Sequence, residues 1–114
     1  MAATEEQKYE LIVCIVNAGY SENVMGAARS AGATGGSILR GRGTANPEAE
    51  EFFNITIQPD KEVVFILVPA DIKDTVMKTV YKNAGLSTEG AGIVFSLPVS
   101  RTSLTEKPEP KEKA

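Results

Sequence analysis

Three stretches of the chain are apolar at nearly every position: YELIVCIV (9–16), KEVVFILV (61–68) and IVFSLPV (93–99). Runs this short, β-branched and bounded by glycine, proline or polar residues, predict buried strands. SILR, from Ser37, predicts a shorter strand. FFNITI (52–57) predicts another, because Phe53, Ile55 and Ile57 alternate onto one face. Gln58, Pro59 and Asp60 then read as a bend or a hairpin turn, and TANPEAEE (44–51) as an exposed polar loop.

Between the strands the period changes. Val24, Ala27, Ala28 and Ala31 recur at helical spacing, the stripe of a helix packed on a sheet. Ser21 is its expected N-cap, Glu22 lies in its first turn and Gly32 ends it. Ile72, Val76 and Val80 repeat the stripe in a second helix. There Asp71 is the expected cap, Asp74 sits in the first turn, and Ala84 and Gly85 close it. The two halves echo one another. Val24-Met25 returns as Val76-Met77, and Ala31-Gly32 as Ala84-Gly85, 52 and 53 residues later.

Two tandem βαβ halves give an α+β, ferredoxin-like βαββαβ sandwich, an antiparallel sheet with two helices on one face. Its other face is left bare, yet half the side chains of strands this apolar must point there. A face of that kind calls for a partner, and symmetric self-association supplies one most simply. The domain is expected over residues 9–100, with disordered segments at 1–8 and 101–114. TEKPEPKEKA has no apolar residue before Ala114.

Charge and composition narrow the partners. Fifteen acidic residues against 12 basic ones give a net charge of -3, and there is no Trp. That disfavours nucleic acid, which needs a phosphate-neutralising surface and stacking aromatics. Histidine is absent and Cys14 is the lone cysteine, so nitrogen–sulfur metal sites are not expected. Cys14 reads as a buried core thiol. A single cysteine also suits a reducing compartment, and MAATEEQK is acidic where a secretion signal is basic. A cytoplasmic protein without membrane insertion is the expectation.

Candidate chemistry concentrates in GATGGSILRGRGT (32–44), which has five glycines and two arginines in thirteen residues. It matches neither G-x-x-x-x-G-K-[ST] nor G-x-G-x-x-G, so it is not a self-contained phosphate loop. Arg40 and Arg42 are two apart on a strand and share a face. They form either an anion site or ion pairs, with Glu48, Glu50 and Glu51 close in sequence. Asp71 and Asp74 are explained by helix capping rather than acid–base work.

VPADIKDTV and STEGAGIVFSLPV, set behind this first half, resemble the PII family of signal-transduction proteins. VPADIKDTV is similar to the segment opening that family's second helix. STEGAGIVFSLPV is similar to its nucleotide-binding B-loop and following strand, a pattern near T-G-x-x-G-x-G-K-I-F. The likeness spans roughly residues 9–99. It implies a homotrimer whose inter-subunit clefts bind adenine nucleotides (ATP, ADP or AMP), and a T-loop that grips an enzyme, transporter or regulator. Carried over, Gly90 and Gly92 would offer backbone N–H groups to phosphates. Gly35 and Ser37 would lie beside the adenine edge, and Gly43 at the base of the T-loop. The cleft would then be split between GATGGSILRGRGT and STEGAG.

The departures all concern ligand contacts. Ile93 stands where the B-loop lysine is expected, and Phe65 where an acidic residue is expected near the adenine. Arg101 is the one candidate for the arginine pair that follows the last strand. The T-loop is cut to about Thr44–Glu51, without a tyrosine or serine for modification, and the glutamine at its base is missing. Three lost contacts, at ~1.5–3 kcal/mol each, would weaken ATP binding by orders of magnitude. Arg40 and Arg42 are the compensating groups, since guanidinium suits phosphate and carboxylate alike. The resemblance therefore implies a PII-like regulator of an unidentified partner rather than a typical nitrogen sensor.

No enzyme is expected. The phosphatases of ferredoxin-like fold need an arginine after the first strand, where this chain has NAGYSE, and no histidine-based triad can form. Two other readings stay open. One is a ligand-free trimeric adaptor for a single protein partner; the other is a metal-tolerance protein of similar trimeric fold (CutA-like).

Overall fold

The computed structural model describes residues 7–44, 60–84, 86 and 92–105. The expectations for FFNITI, for Gln58 and Pro59, for most of STEGAG including Gly90, and for the two extreme ends lie outside them.

Among the described residues six main elements follow in order: β1 (Tyr9–Asn17), α1 (Ser21–Ser30), β2 (Ser37–Arg42), β3 (Asp60–Pro69), α2 (Lys73–Asn83) and β4 (Ile93–Val99). Among the described residues the sheet has four strands, ordered β2-β3-β1-β4, and every neighbouring pair is antiparallel. This is the expected α+β ferredoxin-like plan. A 3-10 turn, Ala70–Ile72, leads into α2, and another, Ser103–Thr105, lies in the segment expected to be disordered.

Period-two alternation sorts the strand residues. Ile12, Cys14 and Val16 from β1, with Val64, Ile66 and Val68 from β3, are wholly buried beneath the helices. They meet Val24, Met25 and Ala28 of α1 and Val76 and Val80 of α2 in one cluster. Each large side chain buried there contributes roughly 1.5–3 kcal/mol relative to exposure. Burial also pushes the Cys14 thiol up to about 12.

Helix ends follow local chemistry at one terminus and tertiary chemistry at the other. Gly32 adopts φ 112°, a left-handed conformation. Its N–H donates to the Arg29 carbonyl at 3.1 Å, and the Ala33 N–H to the Ala28 carbonyl at 3.0 Å. Those two bonds are the Schellman closure, and they require the glycine. The expected N-caps are corrected. Tyr20 precedes α1 and Ile72 precedes α2, and neither gives a side-chain cap. Ser21 is instead the first helical residue and is buried, while Asp71 falls within the 3-10 turn.

Gly36 allows the chain to enter β2 over β3. A Cβ there would lie 2.6 Å from the Phe65 carbonyl oxygen and 3.0 Å from Met25 Sδ. Gly36→Ala is expected to destabilise the fold by ~1–3 kcal/mol, read as a lower denaturant midpoint at fixed protein concentration. Gly35→Ala is the matched control, because a Cβ there meets nothing within 4 Å. Cys14 is expected to react with a disulfide reagent at pH 8 only as fast as the protein unfolds, since the thiolate is the reactive form.

Candidate functional site

The sheet's uncovered face is built from the odd-numbered strand residues. Across it run Leu39–Val63–Ile15–Ile93, then Ser37–Phe65–Val13–Phe95, then Leu67–Leu11–Leu97. No described element packs over these rows. Exposure is greatest on the edge strands, at Leu39 (50%), Ile93 (59%), Phe95 (38%) and Leu97 (49%), while Val13 at the centre is 5% exposed and its β1 and β3 neighbours are half-buried. Isolated exposed leucines are ordinary, but a contiguous apolar sheet face marks an interaction surface. Phe65 and Ile93, which replace the polar groups implied by the family resemblance, both lie on it.

Arg40 and Arg42 point to the opposite side, the helix side, at the exposed edge strand β2. Antiparallel pairing sets Arg40 opposite Glu62 and Arg42 opposite Asp60. These cross-strand carboxylates, not Glu48, Glu50 or Glu51, are the acidic neighbours that the described residues supply. Directly opposed charges of opposite sign on one face stabilise the pairing.

Glu62 reaches further. Its Oε1 accepts the Gly19 N–H at 2.7 Å and the Ser21 N–H at 3.3 Å, so it satisfies the first amide of α1 and one in the turn before it. The Gly19 N–H holds this carboxyl below its ordinary 4.5; Ser21 and the charge of Arg40 act in the same direction, against partial burial. A capping carboxylate 41 residues from Ser21 carries no local sequence signal. Only the register of β2, β3 and β1 reveals it.

The remaining candidates fall in three places. Gly35 and Ser37 lie at the start of β2, with Ser37 exposed and opposite Phe65. Gly43 follows β2 directly, at the end of the sheet that holds Arg40 and Arg42. Gly92 stands at this same end but beside β4, the other edge strand. A Cβ on Gly92 would lie 2.6 Å from the Ile15 carbonyl oxygen, and its N–H donates to the Leu86 carbonyl at 3.1 Å. Packing and an internal hydrogen bond therefore account for Gly92, and its amide is committed within the chain. Arg101 follows β4 at the far end of the sheet, where Val99 pairs with Tyr9. It does not join the other two arginines.

Within one chain β2 and Gly92, just before β4, thus lie at opposite edges of the four-stranded sheet. Three strand spacings separate them, about 14 Å at ~4.8 Å each. Lys73 lies near Glu10 at 3.8 Å and Asp74 at 3.5 Å, fastening the start of α2 to β1. No described helix is long and apolar enough to cross a membrane.

No family model matches the sequence, and no curated protein matches it. Solved structures do match. A PII protein from Arabidopsis thaliana, bound to citrate, superposes with a TM-score of 0.63 and 24% identity, covering 91% of this chain and 89% of that one. A PII-like signalling protein from Thermus thermophilus gives a TM-score of 0.62 at 11% identity, covering 84% and 90%. A Bacillus cereus protein related to NIF3 gives a TM-score of 0.66 at 18% identity; this chain is 88% covered but spans only 27% of that protein. Two of these superpositions extend over nearly the whole length of both partners. The four antiparallel strands and two helices of this chain are the fold of the PII and PII-like signalling proteins.

Proposed function

We propose that this chain is a PII-like regulatory protein that assembles as a homotrimer through its bare sheet face. In this reading it binds a small anionic metabolite at clefts between subunits and regulates a partner protein. The observation that carries the reading is the sheet itself: no described element packs over one apolar face, and β2 and Gly92 lie at its two opposite edges. In a homotrimer, β2 of one copy and the segment before β4 of the next would together form the cleft.

Arg40 and Arg42 are the groups best suited to an anion, with Gly43 beside them and Gly35 and Ser37 at the start of the same strand. Gly90 and Arg101 belong to the proposed cleft only through the family resemblance. A citrate-bound plant PII protein supports a carboxylate-rich ligand as readily as ATP, ADP or AMP. Regulation would pass through the short segment after Thr44, and the partner would be an enzyme or a transporter. Such a role is non-enzymatic and cytoplasmic. Whether nitrogen status is the signal depends on that partner.

One observation favours a second reading. Phe65 and Ile93 make the face apolar where the resemblance implies polar ligand contacts, which suits a ligand-free trimeric adaptor. Light scattering on the purified chain, followed by calorimetric titration with citrate, ATP, ADP and AMP, separates the two. A trimer that binds one of them at micromolar affinity, and loses at least ten-fold in Arg40→Gln, is the expected result. A trimer that gives no heat with any of the four leaves the adaptor. A monomer at high concentration overturns both readings, because the clefts would not exist.

A further inference from the structure

Three consecutive residues at the start of β3 are all bonded to the turn between β1 and α1. The Asp60 carbonyl accepts the Ala18 N–H at 3.0 Å, Lys61 Nζ donates to Asn17 Oδ1 at 2.6 Å, and Glu62 Oε1 takes the amides of Gly19 and Ser21. Gly19 holds φ 99°, a left-handed conformation that favours glycine at this turn. The next strand outward, β2, sets Arg42 opposite Asp60 and Arg40 opposite Glu62. β2 ends at Arg42 and β3 begins at Asp60, so the Arg42–Asp60 pair is the last of the β2–β3 ladder. The start of β3 is therefore fastened to the start of α1 by both backbone and charge.

We propose that Glu62 is a positioning residue that makes edge strand β2 and the first turn of α1 one electrostatic unit. A change of charge partner at Arg40 is then felt at the amides of Gly19 and Ser21.

The physical link is one carboxylate with two kinds of claimant. Its charge is favoured first by the Gly19 amide, then by Ser21, and least by the guanidinium across the strand, which acts through space rather than by a hydrogen bond. Val16 flanks it from β1 and is uncharged, Asp60 lies two residues back on the same face, and Glu22 in the first turn of α1 is exposed. Arg40 is thus the basic group set directly across from it. An anion that engages Arg40 draws the guanidinium away, leaves Glu62 less favoured as an anion and loosens its hold on α1. By reciprocity, loosening α1 frees Arg40 for an external anion. The coupling needs no bound ligand to be detected, so it stands or falls separately from the sensor reading.

The sign follows from the lowered carboxyl. Stability that Glu62 contributes is present above the ordinary value of 4.5 and is lost as pH falls through its lower folded value. Nuclear magnetic resonance on the full chain, following the Gly19 and Ser21 amides through the acid range, tests the unit. In the unaltered protein both amides should titrate together below 4.5. Arg40→Gln should move that midpoint up toward the ordinary value, whereas Arg29→Gln, at the other end of α1, should leave it in place. Glu62→Gln should abolish the titration and speed hydrogen exchange at the two amides about ten-fold, the equivalent of one lost charge-assisted bond. Equal midpoints in the unaltered and Arg40→Gln proteins overturn the proposal. An equal shift from Arg29→Gln does so too, since it would reduce the effect to net charge. Should Glu62→Gln fail to fold, the two arginine variants still decide.

Discussion

The alternation of β1 and β3 is the constraint on which the rest of the molecule depends. Each strand sends one set of apolar residues to the helix side and an equally apolar set to the other. β1 and β2 run parallel with β3 between them, and β3 and β4 run parallel with β1 between them. Both connections therefore cross over, and right-handed crossovers place both helices on one side. One apolar face is covered by the chain's own helices, and no described element covers the other. The topology creates that imbalance, and no local choice of side chain along the strands removes it.

The same topology separates the chemistry. β2 and β4 end up as the two edges, so whatever follows or precedes them is held apart by the width of the sheet. Edge strands invite pairing with other chains, and charged side chains blunt that tendency. Arg40 and Arg42 on β2 fit this purpose, as does Pro98 within β4. The apolar face remains free for association while the edges resist uncontrolled extension. A closed symmetric assembly uses the face and spares the edges, which distinguishes it from an open stack.

Much of this is legible in the sequence, and the unread part has a common cause. The strand spans 9–16, 61–68 and 93–99 differ from the observed ones by at most one residue at either end. Runs of β-branched residues leave few alternatives. The helical stripe through Val24, Ala27 and Ala28, and the left-handed Gly32, are local signals of the same kind. The N-caps are not. Ser21 has the right chemistry one residue too late, and the group that replaces it comes from a strand 41 residues away. The partners of Arg40 and Arg42 escape for the same reason, because register, not proximity in sequence, chooses Glu62 and Asp60. Gly92 reads equally well as a phosphate contact or a turn. Only the nearness of the Ile15 carbonyl makes packing a sufficient reason for glycine there.

A distant cap differs from a local one in what it connects. Ser or Asp at an N-cap ties a helix to itself, so the helix start is indifferent to the rest of the sheet. Glu62 ties the start of α1 to the central strand β3 and, through the opposed arginine, to the edge. In the proposed unit, a change of charge at the edge strand therefore carries an energetic consequence at the helix. A buried hydrophobic contact in the same position would stabilise the packing without conveying charge. In a small domain whose described core is apolar apart from Ser21, this half-buried ionic junction is the element best able to respond to a charged ligand while the fold stays intact.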